Sequence, residues 1–173
     1  MLKLYNSYSN SIEKIDLNKR EVKIYLCGPT VQSSPHLGHG RSAVVFDFFV
    51  RYLKYLKYNV IFVRNITDID DKIIEKSFEE NISYKELAMR VSKEFDYAYQ
   101  KLNCIKPDEE PRATEFIKEI ISYIETLIKN EYAYITKSGV YYDISKFDEY
   151  LLLSGRTKNC LLYTSDAADE VLG

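Results

Sequence analysis

Only two histidines occur in the chain, His36 and His39, and they stand three residues apart. They fall where the loop after an apolar strand-like run meets the first residues of a helix-like pattern. Residues three apart share a helix face, so both imidazoles can address one ligand. A helix N-terminus adds unpaired N–H groups and the positive end of the peptide dipole, both favourable to phosphate. Each ring can donate a hydrogen bond to a phosphate oxygen and to charge growing at phosphorus during a displacement. Gly38 between them has no side chain and permits close approach of an aromatic base. Pro35-His36-Leu37-Gly38-His39 is thus a mechanically sensible nucleotide site, although these residues fit two surface histidines near a helix start equally well. Cys27 raises a second chemistry. On spacing alone it is a small core residue at the end of a buried strand; a rival grouping would join Cys27, His36 and His39 as zinc ligands.

The elements that must position these residues can be read from periodicity. Val22-Lys23-Ile24-Tyr25-Leu26-Cys27 alternates and then turns wholly apolar, a strand with its C-terminal end buried, stopped by Gly28 and Pro29. From about Leu37 the period changes, and Val44, Val45, Phe48, Phe49, Tyr52, Leu53 and Leu56 form one broad helix face. Asn59 to Arg64 is a short β-branched and aromatic run that suits an interior parallel strand. Residues 22–64 therefore predict a right-handed β–loop–α–β unit. The acidic turn Asp68 to Asp71 suits a helix start better than a metal cluster, and Thr67 before it could act as a capping hydroxyl. Ser83-Tyr84-Lys85-Glu86 has capping-box spacing and opens a helix through Leu87, Val91, Phe95 and Leu102. Lys106 to Pro111 punctuates the chain, and the domain boundary is drawn there. Beyond it come an amphipathic helix from Phe116 to Ile128 and a hairpin of Ala133–Ile135 with Val140–Asp143.

Hydrophobic residues make up 46% and charged residues 29%, an ordinary globular profile. A net charge of -2 gives no basic footprint of the kind that reveals most nucleic-acid binders. Cys27, Cys104 and Cys160 lie far apart and are odd in number, a poor disulfide framework that fits a reducing cytosol. No run is long or apolar enough for a signal peptide or a membrane span, so a cytoplasmic protein without membrane contact is expected. Cys160 to Glu170 resembles a translated sequencing-library adapter, so residues 160–173 are set apart as a non-native tail, the alternative being a natural acidic tail.

Several blocks together carry a family resemblance. Tyr25-Leu26-Cys27-Gly28-Pro29-Thr30-Val31, Pro35 to His39 and Gly40-Arg41-Ser42 resemble the cysteine-specific branch of the class I aminoacyl-tRNA synthetases, with Leu37 at the Ile position of the HIGH motif. Asn65 to Ile73, Pro111 to Glu115, Tyr141-Tyr142-Asp143 and Leu153 to Arg156 follow in the family's order. Gln32-Ser33-Ser34 departs from it, standing where aromatic and acidic residues are common.

The resemblance implies an α/β fold. Residues 1–105 would be the first half of a Rossmann-like catalytic domain with a parallel sheet, and residues 106–159 the start of its connective insert. It implies an ATP site at Pro29, Thr30, His36, Gly38 and His39, with His36 and His39 catalytic. It implies contacts to substrate cysteine from Gly28 and Thr67, and Cys27 as one zinc ligand. A thiolate binds zinc far better than a serine hydroxyl does, so the metal would supply discrimination without editing. The implied partners are L-cysteine, ATP with Mg²⁺, and tRNA(Cys), and the parent enzyme is expected to be a monomer. The chain alone is not expected to complete a turnover, because further zinc ligands and the family's lysine-rich phosphate loop are not in it. Three other readings stay open: a sister cysteine ligase acting on an amino-sugar-inositol in mycothiol synthesis, a small-molecule nucleotidyltransferase with an H-x-G-H site, and a non-catalytic binding fragment.

Overall fold

The computed structural model describes residues 2–15, 17 and 20–155. They divide into two compact units, one running from Leu17 to Ile117, the other joining the N-terminal residues to those from Lys118 onward. The residues set apart as a tail, 160–173, and Arg156 lie outside the described residues.

The chain opens with an antiparallel hairpin, β1 (Lys3–Asn6) with β2 (Ser11–Lys14), that periodicity did not announce. Its strands are four residues each and mostly exposed, too short to carry an apolar period. The turn is closed by Asn10 at φ 54, a left-handed conformation that asparagine tolerates.

In the unit from Leu17 to Ile117, β3 (Glu21–Leu26) pairs in parallel with β4 (Asn59–Arg64), from Glu21↔Asn59 through Leu26↔Arg64. The crossover between them carries helix α1 (Leu37–Tyr55). This is the β–loop–α–β unit that the periodicity predicts. On the other side of β4 runs the segment 108–113. Arg64 N–H donates to the Glu109 carbonyl (3.1 Å), Ile66 N–H to the Pro111 carbonyl (2.9 Å) and Ala113 N–H to the Ile66 carbonyl (3.1 Å). The Asp108 carboxylate accepts from Phe62 N–H at 2.7 Å. β4 is therefore interior, while residues 106–117, assigned by their punctuation to the insert, are built into the same compact unit as β3 and β4. The prolines explain this: they end a helix, yet they hold the preceding residue extended and fit the margin of a sheet.

Helix α2 (Asp71–Glu79) is capped by Asp70, whose carboxylate accepts from Lys72 N–H at 3.0 Å. Helix α3 (Tyr84–Lys101) is capped by Ser83, which accepts from Glu86 N–H at 3.2 Å. Thr67 caps neither helix. Val31, Ala43, Ile66, Ile73, Leu87, Val91, Phe95 and Tyr99 form one buried cluster, and each large aliphatic side chain fully buried there contributes about 1.5–3 kcal/mol. The broad α1 face divides differently from its sequence pattern. Ala43, Val50 and Leu53 are buried, whereas Val44, Val45, Phe48, Tyr52 and Leu56 are exposed. Periodicity identifies apolar positions but not which of them a neighbour covers, and here β4 and α3 pack against a single stripe.

In the other unit, α4 (Ile117–Lys129) precedes the hairpin of β5 (Ala133–Ile135) and β6 (Val140–Tyr142), paired antiparallel through Tyr134↔Tyr141. Tyr132, Tyr142 and Tyr150 stack in succession beside it. Among the described residues no helix is long and apolar enough to cross a membrane.

Candidate active site

The site begins where β3 and β4 end, the position at which open parallel sheets bind ligands. From Leu26 to Thr30 the β3 side of the ladder takes four steps, whereas the β4 side takes three, from Arg64 to Thr67. One extra residue is thus lodged on the β3 side as a β-bulge, a device that re-aims side chains beside functional sites. Beyond the bulge pairing resumes: Thr67 N–H donates to the Pro29 carbonyl (3.0 Å) and Val31 N–H to the Thr67 carbonyl (3.1 Å). Gly28 sits in the bulge so closely against β4 that a Cβ there would overlap the Asn65 carbonyl oxygen, with the carbonyl carbon at 2.7 Å. Only glycine fits. Of the residues that sequence reading assigned to ligands, Gly28, Pro29, Thr30 and Thr67 are brought together by this bulge.

Cys27 corrects the core reading of its spacing. Leu26 is buried, but Cys27, one step into the bulge, is exposed. Its Sγ donates a long hydrogen bond to the Gly28 carbonyl at 3.9 Å. The rival grouping of Cys27, His36 and His39 is not formed, since among the described residues no three His, Cys, Asp or Glu side chains come together to hold a metal ion. The thiol of Cys27 is accessible, but the described residues alone do not make a zinc site.

The histidines are locked by the helix start itself. His36 is the N-cap of α1, with extended backbone, and its Nδ1 accepts from Gly38 N–H at 3.1 Å. His39, at the third helical position, accepts from His36 N–H through its own Nδ1 at 3.2 Å. This is a capping box in which both partners are imidazoles. Because each Nδ1 lone pair meets a backbone N–H, each neutral ring must carry its proton on Nε2. Two Nε2–H donors therefore stand at one helix start, with ring centroids 4.0 Å apart, and the first turn of α1 holds no acidic residue to neutralise the dipole. His39 is half-buried with Phe95 of α3 edge-on at 4.9 Å. Burial, and secondarily the neighbouring His36, hold its pKa below the ordinary histidine value. The loop leading in is moored by Ser34, whose hydroxyl donates to Glu94 of α3 at 2.6 Å. Gly38 is tight rather than open: an added Cβ would meet His36 Cε1 at 2.9 Å.

Three polar arrangements near the ends of β4 escaped sequence reading. Arg64, 6% exposed, is gripped by Glu110 (2.6 Å) and lies over the Tyr99 ring at 4.3 Å. Asp68, also buried, accepts from Thr114 N–H (2.9 Å) and Thr114 Oγ1 (2.7 Å), tying the 113–116 turn to the strand end. Asn65 joins the bulge to Thr67, accepting from Gly28 N–H at 2.8 Å and donating to Thr67 Oγ1 at 3.2 Å. The signal was a run of polar residues where an interior strand should stay apolar. A cavity of about 640 Å³ lies elsewhere in this unit, between α3 and residues 112–117, lined by Asp68, Ser92 and Arg112 among others.

A parallel β–α–β unit with imidazoles at the start of its crossover helix is a partial Rossmann-like fold of the class I synthetase kind. Residues 13–170 match the family described as tRNA synthetases class I (C) catalytic domain, and the chain belongs to that family. Individual relatives narrow the branch. The chain is 44% identical over 163 residues to the cysteine–tRNA ligase of Buchnera aphidicola subsp. Cinara cedri, covering 92% of the chain and 34% of that protein. It is 46% identical over 157 residues to the cysteine–tRNA ligase of Maridesulfovibrio salexigens (90% and 32%). The corresponding ligase of Acholeplasma laidlawii is 43% identical over 157 residues (90% and 36%). The chain spans about a third of the length of the curated relatives it matches.

Proposed function

We propose that the full-length protein carrying this chain is a ligase that joins L-cysteine to tRNA(Cys) through a cysteinyl-adenylate. The observation that carries this is the pair of Nε2–H imidazoles locked at the start of α1, on the crossover that leaves a bulge with an outward-facing Cys27. In the first step a carboxylate oxygen of cysteine attacks the α-phosphorus of ATP. The bond from that phosphorus to the bridging oxygen breaks and pyrophosphate departs. His36 and His39 donate from Nε2 to phosphate oxygens whose charge grows at this moment, and their Nδ1 bonds to backbone hold them there in advance. A ribose hydroxyl at the tRNA terminus then attacks the acyl carbonyl and AMP leaves.

Pro29, Thr30 and Gly38 complete the nucleotide site in this reading, and Gly28 and Thr67 face the amino acid. Magnesium, when bound, would offset phosphate charge, and zinc, when bound, would favour a substrate thiolate over a hydroxyl. Cys27 would supply one zinc ligand. Residues 106–159, with α4 and the β5–β6 hairpin, are read as the start of the connective insert, and the protein as a cytoplasmic monomer.

The test is cysteine-dependent ATP–pyrophosphate exchange by the full-length protein, followed by charging of tRNA(Cys). Replacing His36 or His39 by alanine is expected to lower kcat by about 10²–10³-fold. Nucleotide transfer without cysteine, or charging of an amino sugar in place of tRNA, would overturn the proposal. The 173-residue chain by itself is expected to give no exchange.

A further inference from the structure

We infer that Asn65 is the positioning residue of the cysteine pocket: it holds the Gly28 bulge closed and sets the direction of the Thr67 hydroxyl. The inference deepens the proposed function and rests on it. A bulge leaves its extra residue without a partner in the ladder, and an orphaned N–H in a half-buried strand carries a desolvation penalty. Here the orphan is Gly28 N–H, and the acceptor it finds is the Asn65 side-chain oxygen, 2.8 Å away. Asn65 and Thr67 are two apart on the same strand continuation and so share a face. The amide that accepts from Gly28 is therefore able to donate to Thr67 Oγ1, at 3.2 Å.

Two consequences follow for recognition. With its N–H consumed, Gly28 can offer an amino acid only its carbonyl, an acceptor suited to an ammonium group. With one Oγ1 lone pair occupied by the Asn65 donor, Thr67 keeps its proton free to donate away from Asn65. Asparagine does both jobs because its amide is acceptor and donor at once. Aspartate retains only the first, and it captures the Thr67 proton.

The experiment measures ATP–pyrophosphate exchange by the full-length protein, varying cysteine and ATP separately. Asn65→Asp and Asn65→Ala are each expected to raise the cysteine KM about tenfold, the worth of one or two hydrogen bonds, with the ATP KM unchanged. In a Thr67→Ala background the Asn65→Asp effect should shrink to less than about threefold, because its partner is gone. Asn65→Asp keeps the Gly28 bond and preserves a folded variant should Asn65→Ala not fold. An unchanged cysteine KM in Asn65→Asp, or cysteine and ATP KM values rising together, overturns the inference and leaves the proposed function standing. A wild-type protein without cysteine-dependent exchange overturns both.

Discussion

Gly28→Ala tests the backbone on which the site is built. The added Cβ lands within the Asn65 carbonyl, with the carbonyl carbon at 2.7 Å and Arg64 Cγ at 3.3 Å. The nearest atoms are backbone, so no side-chain rotation relieves the overlap, and the continuation of β3 has to move off β4 by roughly 1.5–2 Å to restore ordinary contact. That movement stretches the Gly28–Asn65 bond (2.8 Å) and both bonds between Thr67 and its partners Pro29 and Val31 (3.0 and 3.1 Å). Overpacking of this kind costs about 1–3 kcal/mol, and each weakened hydrogen bond about 0.5–1.5 kcal/mol. The expected destabilisation is about 3–5 kcal/mol, a large part of a typical folding free energy. In urea unfolding of the 173-residue chain, with m near 2 kcal/mol/M, the midpoint should fall by roughly 1.5–2.5 M. Gly38→Ala is the control. Its Cβ meets only the His36 ring, at 2.9 and 3.1 Å; turning that ring aside gives up its cap on Gly38 N–H, about 1 kcal/mol, which alanine's better helix propensity, about 1 kcal/mol, offsets. Its midpoint should stay within about 0.5 M of wild type. Equal midpoints for the two variants would refute the bulge argument.

The pH dependence of stability should carry a signature of His39. Its folded pKa is lowered, by burial first and by His36 second, so between that pKa and the unfolded value of about 6.5 the unfolded chain binds more protons. Stability should be level above about pH 6.5 and fall as pH drops through this window. The check is the urea midpoint from pH 8 to 5, where a His39→Gln variant with the same slope as wild type would exclude His39 as the source. Glu110→Gln removes the charge from the partner of buried Arg64. Glu110 is itself partly exposed, so the loss should be about 2 kcal/mol rather than the 3–5 of a fully buried pair; a change under about 0.5 kcal/mol would mean that Tyr99 and solvent suffice for the guanidinium.

Local chemistry made much of this protein legible from its sequence. The change of period between Cys27 and Leu37 marks β3 and α1, because a strand and a helix bury different spacings of the same apolar residues. Asp70 and Ser83 announce two helix starts because their side chains cap within a few residues of themselves. The two histidines mark the candidate site because their partners, Gly38 N–H and His36 N–H, are local as well. Tertiary structure decided what depends on partners distant in the chain. Cys27 reads as the buried end of a strand, and only the bulge against Asn65 and Thr67 turns it outward. Residues 106–117 read as the start of an insert, yet their hydrogen bonds go to β4, some 46 residues earlier. Asn65 shows in the sequence only as part of a polar run at the end of β4, because its role exists only once Gly28, 37 residues away, has lost its ladder partner.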